Sequence, residues 1–167
     1  MPDAAARHPS PFNSPVESGL RAITLLAAAE PKVCDLGRLV VYDYLLVHSG
    51  DVEGGPRSLH PATPHRSGEL LVRRLTLQHG LVLMITRELA EICFGDEGIM
   101  YAASELTKPF LAYLESEYAR DLVERAAWVV AEFGSCSNID LASFALRHLN
   151  DWGGELISEA YPPTDVV

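Results

Sequence analysis

Ser67 to Glu105 reads SGELLVRRLTLQHGLVLMITRELAEICFGDEGIMYAASE. Leu71, Leu75, Val82, Ile85 and Leu89 recur mostly at spacings of three, four and seven, the period of a helix with one apolar face. Ser67 is placed to cap its start, and Glu69 favours the first turn. Gly80 lies inside the pattern and costs about 1 kcal/mol relative to alanine if the helix is continuous. It marks a kink, a break into two helices or a close packing contact. The pattern then alternates. Ile92 and Phe94 face Ile99 and Tyr101 across Gly95-Asp96-Glu97-Gly98, with Gly98 free to take positive φ. A helix feeding a small hairpin is the order of the second half of a winged helix-turn-helix. The expected fold class is therefore mainly α, with a winged-helix-like core, a β-hairpin wing and additional C-terminal helices.

Before this stretch, Asn13-Ser14-Pro15-Val16-Glu17 is a helix start. Ser14 is the cap, Pro15 is the first helical residue, and Glu17 can reach back as a capping box. This helix is expected to run to about Ala29, to bury Val16, Leu20, Ile23 and Ala27, and to stop at Pro31. A second helix is expected over Leu36 to Val47 with Asp35 as its cap; a strand over Leu39 to Val47 is the competitor, since valine and tyrosine favour it. Asp43 sits between Tyr42 and Tyr44 and needs a hydrogen-bonding partner if it is buried.

Ser49 to Arg66 has no apolar period and holds Gly50, Gly54, Gly55, Pro56, Pro61 and Pro64. Loops of this length inside a domain are often functional. His48, His60 and His65 lie in or beside it, but no cysteine is near and His60-His65 is not a helical pair, so contact residues are the default over metal ligands.

After the hairpin, Ser104 or Thr107 is placed to cap a short helix with Phe110, Leu111 and Leu114 on its buried side. Ser116 caps the next, Glu117 to Phe133, whose stripe of Ala119, Leu122, Ala126, Val129 and Phe133 is clean. Gly134 is expected to end it, in the position glycine favours after a helix. A last helix covers about Ile139 to Trp152, with Leu141, Phe144, Ala145 and Leu149 inward. The expected organisation is a tail over 1–12, one domain over 13–155 and a second tail over 156–167.

A net charge of -10 argues against a strong non-specific nucleic-acid binder, because phosphate neutralisation needs clustered lysine and arginine. Arg73, Arg74, His79 and Arg87 supply most of the positive charge of the long helix; they read as a solvated or docking face before they read as a recognition helix. No stretch is long and apolar enough to span a membrane, and the N-terminus lacks a basic-then-apolar secretory pattern. Cys34, Cys93 and Cys136 have neither zinc spacing nor a disulfide framework, and read as small buried hydrophobes of a cytoplasmic protein. There is no phosphate loop, no nucleophile elbow and no catalytic constellation. The expectation is no enzyme and no cofactor.

Four stretches carry a resemblance: PFNSPVESGLRAITLL (Pro11 to Leu26), LVVYDYLLVHSGDVEGGPRSLHPATPHRSGELLVRR (Leu39 to Arg74), GDEGIMYAASELTKPFLAYLES (Gly95 to Ser116) and ERAAWVVAEFG (Glu124 to Gly134). Together the chain resembles, from about Pro11 to Trp152, the second family of middle components of bacterial ABC three-component conflict systems, a class that includes Lamassu-type defence. The resemblance implies a non-enzymatic adaptor coupling an SMC-like ABC ATPase to an effector, often a nuclease, against phage or plasmids. It makes the Ser49 to Arg66 loop a contact surface, with Tyr42, Asp43, Tyr44, His48, Asp51, His60, Arg66, Arg73 and Arg74 as candidate partner contacts. A homodimer through the C-terminal stripes is also open, with DNA reached indirectly through the complex. The alternative is a winged-helix transcriptional regulator reading DNA through Arg73 to Arg87, against which Asp96 and Glu97 at the wing tip count. A metal enzyme built on His48, His60 and His65 is the weakest reading.

Overall fold

The computed structural model describes residues 14–61 and 66–149. Six α-helices and a three-stranded antiparallel sheet follow in the order α1 (Pro15–Ala29), β1 (Cys34–Asp35), α2 (Leu36–Val47), a 3-10 turn (Ser49–Asp51), α3 (Arg66–Thr86), β2 (Ala90–Gly95), β3 (Gly98–Ala103), α4 (Thr107–Ala112), α5 (Glu117–Phe133) and α6 (Asn138–Leu149). The sheet order is β1-β3-β2. The two expected tails lie outside the described residues.

The middle of the molecule is α1, which packs against α2, α3, α4, α5 and β3. Ser14 Oγ accepts from the Glu17 amide, and Pro15 opens the helix as expected. The expected one-sided stripe is not what is seen. Val16 is 55% exposed, whereas Ser18, Gly19, Arg21, Ala22, Ile23, Thr24, Leu25, Leu26 and Ala29 are all buried. A helix with neighbours on most sides buries most of its circumference, and its small residues let those neighbours approach. The helix ends at Ala29, before the cis Glu30–Pro31 peptide.

The second helix spans Leu36–Val47, capped by Asp35, whose Oδ1 accepts from the Arg38 amide at 2.9 Å.

The third helix is continuous through Gly80, which resolves the three readings of that residue. A Cβ built there meets the Gly19 backbone nitrogen at 2.5 Å and the Pro15 carbonyl oxygen at 2.9 Å. Gly19 and Gly80 are therefore the crossing point of α1 and α3, where backbone lies on backbone. The predicted apolar face holds only at its far end, where Ile85 packs against the core and Leu89, beyond the helix, is buried. Leu75 and Val82 are exposed, while Arg73, Leu77, Gly80, Leu81 and Met84 turn inward. Apolar counting favours Leu75 and Val82; the buried face contains an arginine and a glycine that such counting discounts. Ser67 does not cap this helix, which begins at Arg66.

The helix also stops before Leu89. Glu88 takes φ +59°, its amide bonds Ile85 O, and the Leu89 amide reaches back to Met84 O at 2.9 Å. These paired bonds close the helix end and turn Leu89 onto Met84.

In the hairpin the expected register holds: Phe94 pairs with Ile99 and Ile92 with Tyr101. Asp96 and Glu97 form the turn, and Gly98 takes φ +103°. Cys34 and Asp35 of β1 add to the other side of β3.

Around α1 the remaining helices close the core. Leu106, not Ser104 or Thr107, occupies the cap position of α4. Thr107 Oγ1 instead accepts from the Ser104 amide and donates to Leu89 O, tying α4 to the base of the hairpin. Ser116 caps α5, and Leu122, Ala126, Val129 and Phe133 are buried as expected. Gly134 ends the helix as expected, with φ -67°; a Cβ there would meet Val130 O at 2.3 Å. In α6, Leu141 and Ala145 are buried and Phe144 is half-buried. Residues 150–152 of its expected span lie outside the described residues.

Candidate functional site

Asp43 has no exposed surface, and two guanidinium groups enclose it. Arg21 of α1, the preceding helix, donates Nε to Oδ1 at 2.6 Å and Nη2 to Oδ2 at 3.2 Å. Arg73 of α3 donates Nη1 to Oδ2 at 2.5 Å. Burial alone would raise the Asp43 pKa; the two arginines more than reverse this, and the carboxyl is held below its ordinary value. Burial likewise works against the charge of Arg21, but Asp43 and Glu17 outweigh it and hold the guanidinium protonated.

A second layer surrounds this core. Arg21 Nη1 donates to Glu17 Oε1 at 3.0 Å, so the Glu17 carboxylate is drawn inward. Tyr118 of α5 donates its hydroxyl to the same oxygen at 3.0 Å. Having given its one proton to Glu17, Tyr118 accepts from His60 Nε2 at 2.8 Å, which assigns the proton of a neutral His60 to Nε2. Burial raises the Tyr118 pKa first, and the Glu17 charge adds to it. On the other side, Tyr44 lies under the Arg73 guanidinium at 5.6 Å and donates to Asp51 Oδ2 at 2.5 Å. His48 packs between the Tyr44 and His60 rings.

The loop after α2 delivers His60. Both the Leu59 and His60 amides bond Val47 O, at 2.9 and 3.0 Å, so the chain returns to the helix end it left. The Gly50 amide bonds Ser58 Oγ, and Ser49 Oγ donates to Arg57 O. Burial, followed by the charges of Arg21, His48 and Arg73, pushes the His60 pKa down to about 4. A lowered histidine pKa means the unfolded chain binds the extra proton first. Stability contributed by neutral His60 is present above about pH 6.5 and is lost as pH falls toward 4. Denaturation followed from pH 7 to 4 is expected to show this loss, and His60→Gln to flatten it. An unchanged slope in the variant refutes the assignment.

Six of the nine candidate contacts, Asp43, Tyr44, His48, Asp51, His60 and Arg73, thus meet in one network, and most of them are buried. Tyr42 points elsewhere. Its hydroxyl donates to Phe133 O and accepts from Arg38, which also reaches Asn138 Oδ1 and Cys136 O and binds α2 to α5 and α6. Arg38, Tyr42 and Asn138 line a cleft of about 450 Å³ with Lys32, Cys34 and Glu97. Burial pushes the Cys34 thiol up to about 11, which keeps it protonated. Arg74 is half-buried, and the Arg66 side chain lies outside the described residues. His65 also lies outside them, so the three-histidine set is only partly placed; among the described residues no group of three His, Cys, Asp or Glu is arranged to hold a metal.

Arg21, Glu17, Tyr118 and Arg38 were missed as site residues. The signal for the first was an arginine in the middle of a helix that is otherwise small or apolar. No such signal marks Tyr118.

The arrangement is a closed polar core that joins α1, α2, α3, α5 and the long loop; its acid is saturated by guanidinium donors. It defines a helical module whose elements are locked together from within. The family model described as ABC-three component (ABC-3C) system Middle Component 2 matches residues 11–155, and the chain belongs to this MC2 family. No curated protein and no solved structure matches it. Among the described residues no helix is long and apolar enough to cross a membrane.

Proposed function

We propose that this chain is a non-catalytic adaptor which couples an SMC-like ABC ATPase to an effector, often a nuclease, in bacterial defence against phage or plasmids. Membership of the middle-component family supports partnership with the other components. The order α1-β1-α2-α3-β2-β3, with sheet order β1-β3-β2, supports a winged-helix body.

The observation that carries the adaptor reading over DNA binding is the outward face of α3. Val72, Leu75 and Val82 are 56%, 51% and 61% exposed, and with His79 they fall at spacings of three, four and three on one side of the helix. In a DNA reader this face would present arginine and lysine to phosphate. Here Arg73 points inward to Asp43, and the hairpin turn carries Asp96 and Glu97.

The test is co-expression with the products of the adjacent genes, tagging this chain. The expected result is a stable complex with a large ABC ATPase and a second protein. Replacing Leu75 and Val82 together by aspartate is expected to weaken that complex at least about tenfold, with folding stability within about 0.5 kcal/mol of the parent. If the chain elutes alone and shifts its own promoter DNA at moderate salt, the adaptor reading is replaced by the regulator.

A further inference from the structure

β2 is an edge strand of six residues, since the sheet order places β3 on one side of it and no strand of the described residues on the other. The pair flanking a two-residue turn exchanges both backbone hydrogen bonds, and the pairs then alternate. Gly95, Cys93 and Glu91 therefore bond to β3, and Ile92 and Phe94 turn their amides and carbonyls outward. Edges of this kind are normally blunted by lysine, proline or a covering element. β2 has no lysine or proline.

Its two faces differ. Ala90, Ile92 and Phe94 share a face with Ala103, Tyr101 and Ile99. Exposure along it climbs from 3% at Ala90 to 43% at Ile92 and 81% at Phe94, so the hairpin overhangs the body and leaves its apolar face uncovered at the tip. The opposite face carries Glu91, and the turn carries Asp96 and Glu97; the hairpin has no basic residue.

We propose that the β2 edge binds an extended segment of a partner protein, added as a fourth strand, in which apolar residues alternate with lysine or arginine. Strand addition supplies backbone bonds to Ile92 and Phe94 and reads side chains with a period of two. On one face apolar side chains extend the Phe94-Ile99 surface, and on the other basic side chains lie beside Glu91. Charge selects this occupant over the alternatives. A second copy would bring Glu91, Asp96 and Glu97 against the same acids. The chain's own residues 150–167 carry Asp151, Glu155, Glu159 and Asp165 and no lysine or arginine, and residues 1–13 hold Pro2, Pro9 and Pro11, which lack the amide a strand needs.

The site is independent of α3, and only the source of the segment, another component of the complex, rests on the adaptor reading. The test therefore uses the full isolated chain and two synthetic peptides of about eight residues, one alternating valine with lysine and the other valine with glutamate. In the free protein the Ile92 and Phe94 amides are expected to exchange rapidly with solvent deuterium. The lysine peptide is expected to bind at least about tenfold more tightly than the glutamate peptide, with amide shifts centred on β2. Ile92→Pro, which removes an outward amide, is expected to abolish binding. Because proline could disturb the hairpin, the exposed acids are also reversed together, Glu91→Lys with Asp96→Lys, and the preference is expected to invert. Protected Ile92 and Phe94 amides in the free chain would mean a second copy or the chain's own segment already covers the edge, overturning the proposal. So would lysine-peptide binding that survives Ile92→Pro in a folded hairpin, a preference that does not invert, or no binding at all. None of these outcomes bears on whether the chain co-purifies with an ATPase.

Discussion

Asp43→Asn is expected to lower the unfolding free energy by about 3–5 kcal/mol. The substitution keeps the side chain's shape and removes its charge. Arg21 and Arg73 would then face a neutral amide in a fully buried site. Arg21 retains Glu17, at 3.0 Å, while Arg73 retains the Tyr44 ring and a long bond to Asp43 O. Urea denaturation monitored by circular dichroism measures the loss directly. Replacing the triad together, Arg21→Met with Asp43→Leu and Arg73→Met, is expected to recover much of it, because the cost lies in leaving charges uncompensated rather than in lacking them. A loss under about 1 kcal/mol for Asp43→Asn would mean that water reaches the site and the network is not closed.

Gly80→Ala carries the second large effect, and its sign is the informative part. In an ordinary helix interior the change stabilises by about 1 kcal/mol. At this crossing the new methyl would sit 2.5 Å from the Gly19 nitrogen, and backbone cannot rotate away as a side chain can. The expected outcome is destabilisation by about 1–3 kcal/mol from overpacking. Gly19→Ala is expected to cost less. Its nearest obstacle is Met84 Cε at 2.6 Å, the end of a flexible side chain, although Gly80 O at 2.9 Å remains. If Gly80→Ala raises the denaturation midpoint, the two helices are farther apart than described.

The parts of the fold that were legible in the sequence are those decided locally. Asp35 and Ser116 caps, the hairpin register and the α5 stripe each depend on residues within a few positions of one another. The faces of α1 and α3 depend on neighbours distant in sequence. Val16 and Val82 look like core residues by period, but the rest of the fold left their sides open. The site was half legible for the same reason. Asp43 declared a need for partners, yet the partners lie 22 residues before it and 30 after it. Arg73 is indistinguishable in sequence from the surface arginine it was read as. The long loop drew attention through its length, and what it supplies is an inner wall, with His60 against Tyr118.

The Gly19-Gly80 crossing also has a mechanical meaning. With no side chain between them, α1 and α3 have no compressible layer at their closest point, and close-packed interiors transmit strain rather than absorb it. A load applied to the outward side of α3 passes through Gly80 to the Gly19 backbone and to the Pro15 carbonyl in the first turn of α1. The two helices are therefore expected to shift together as one rigid pair rather than slide past each other.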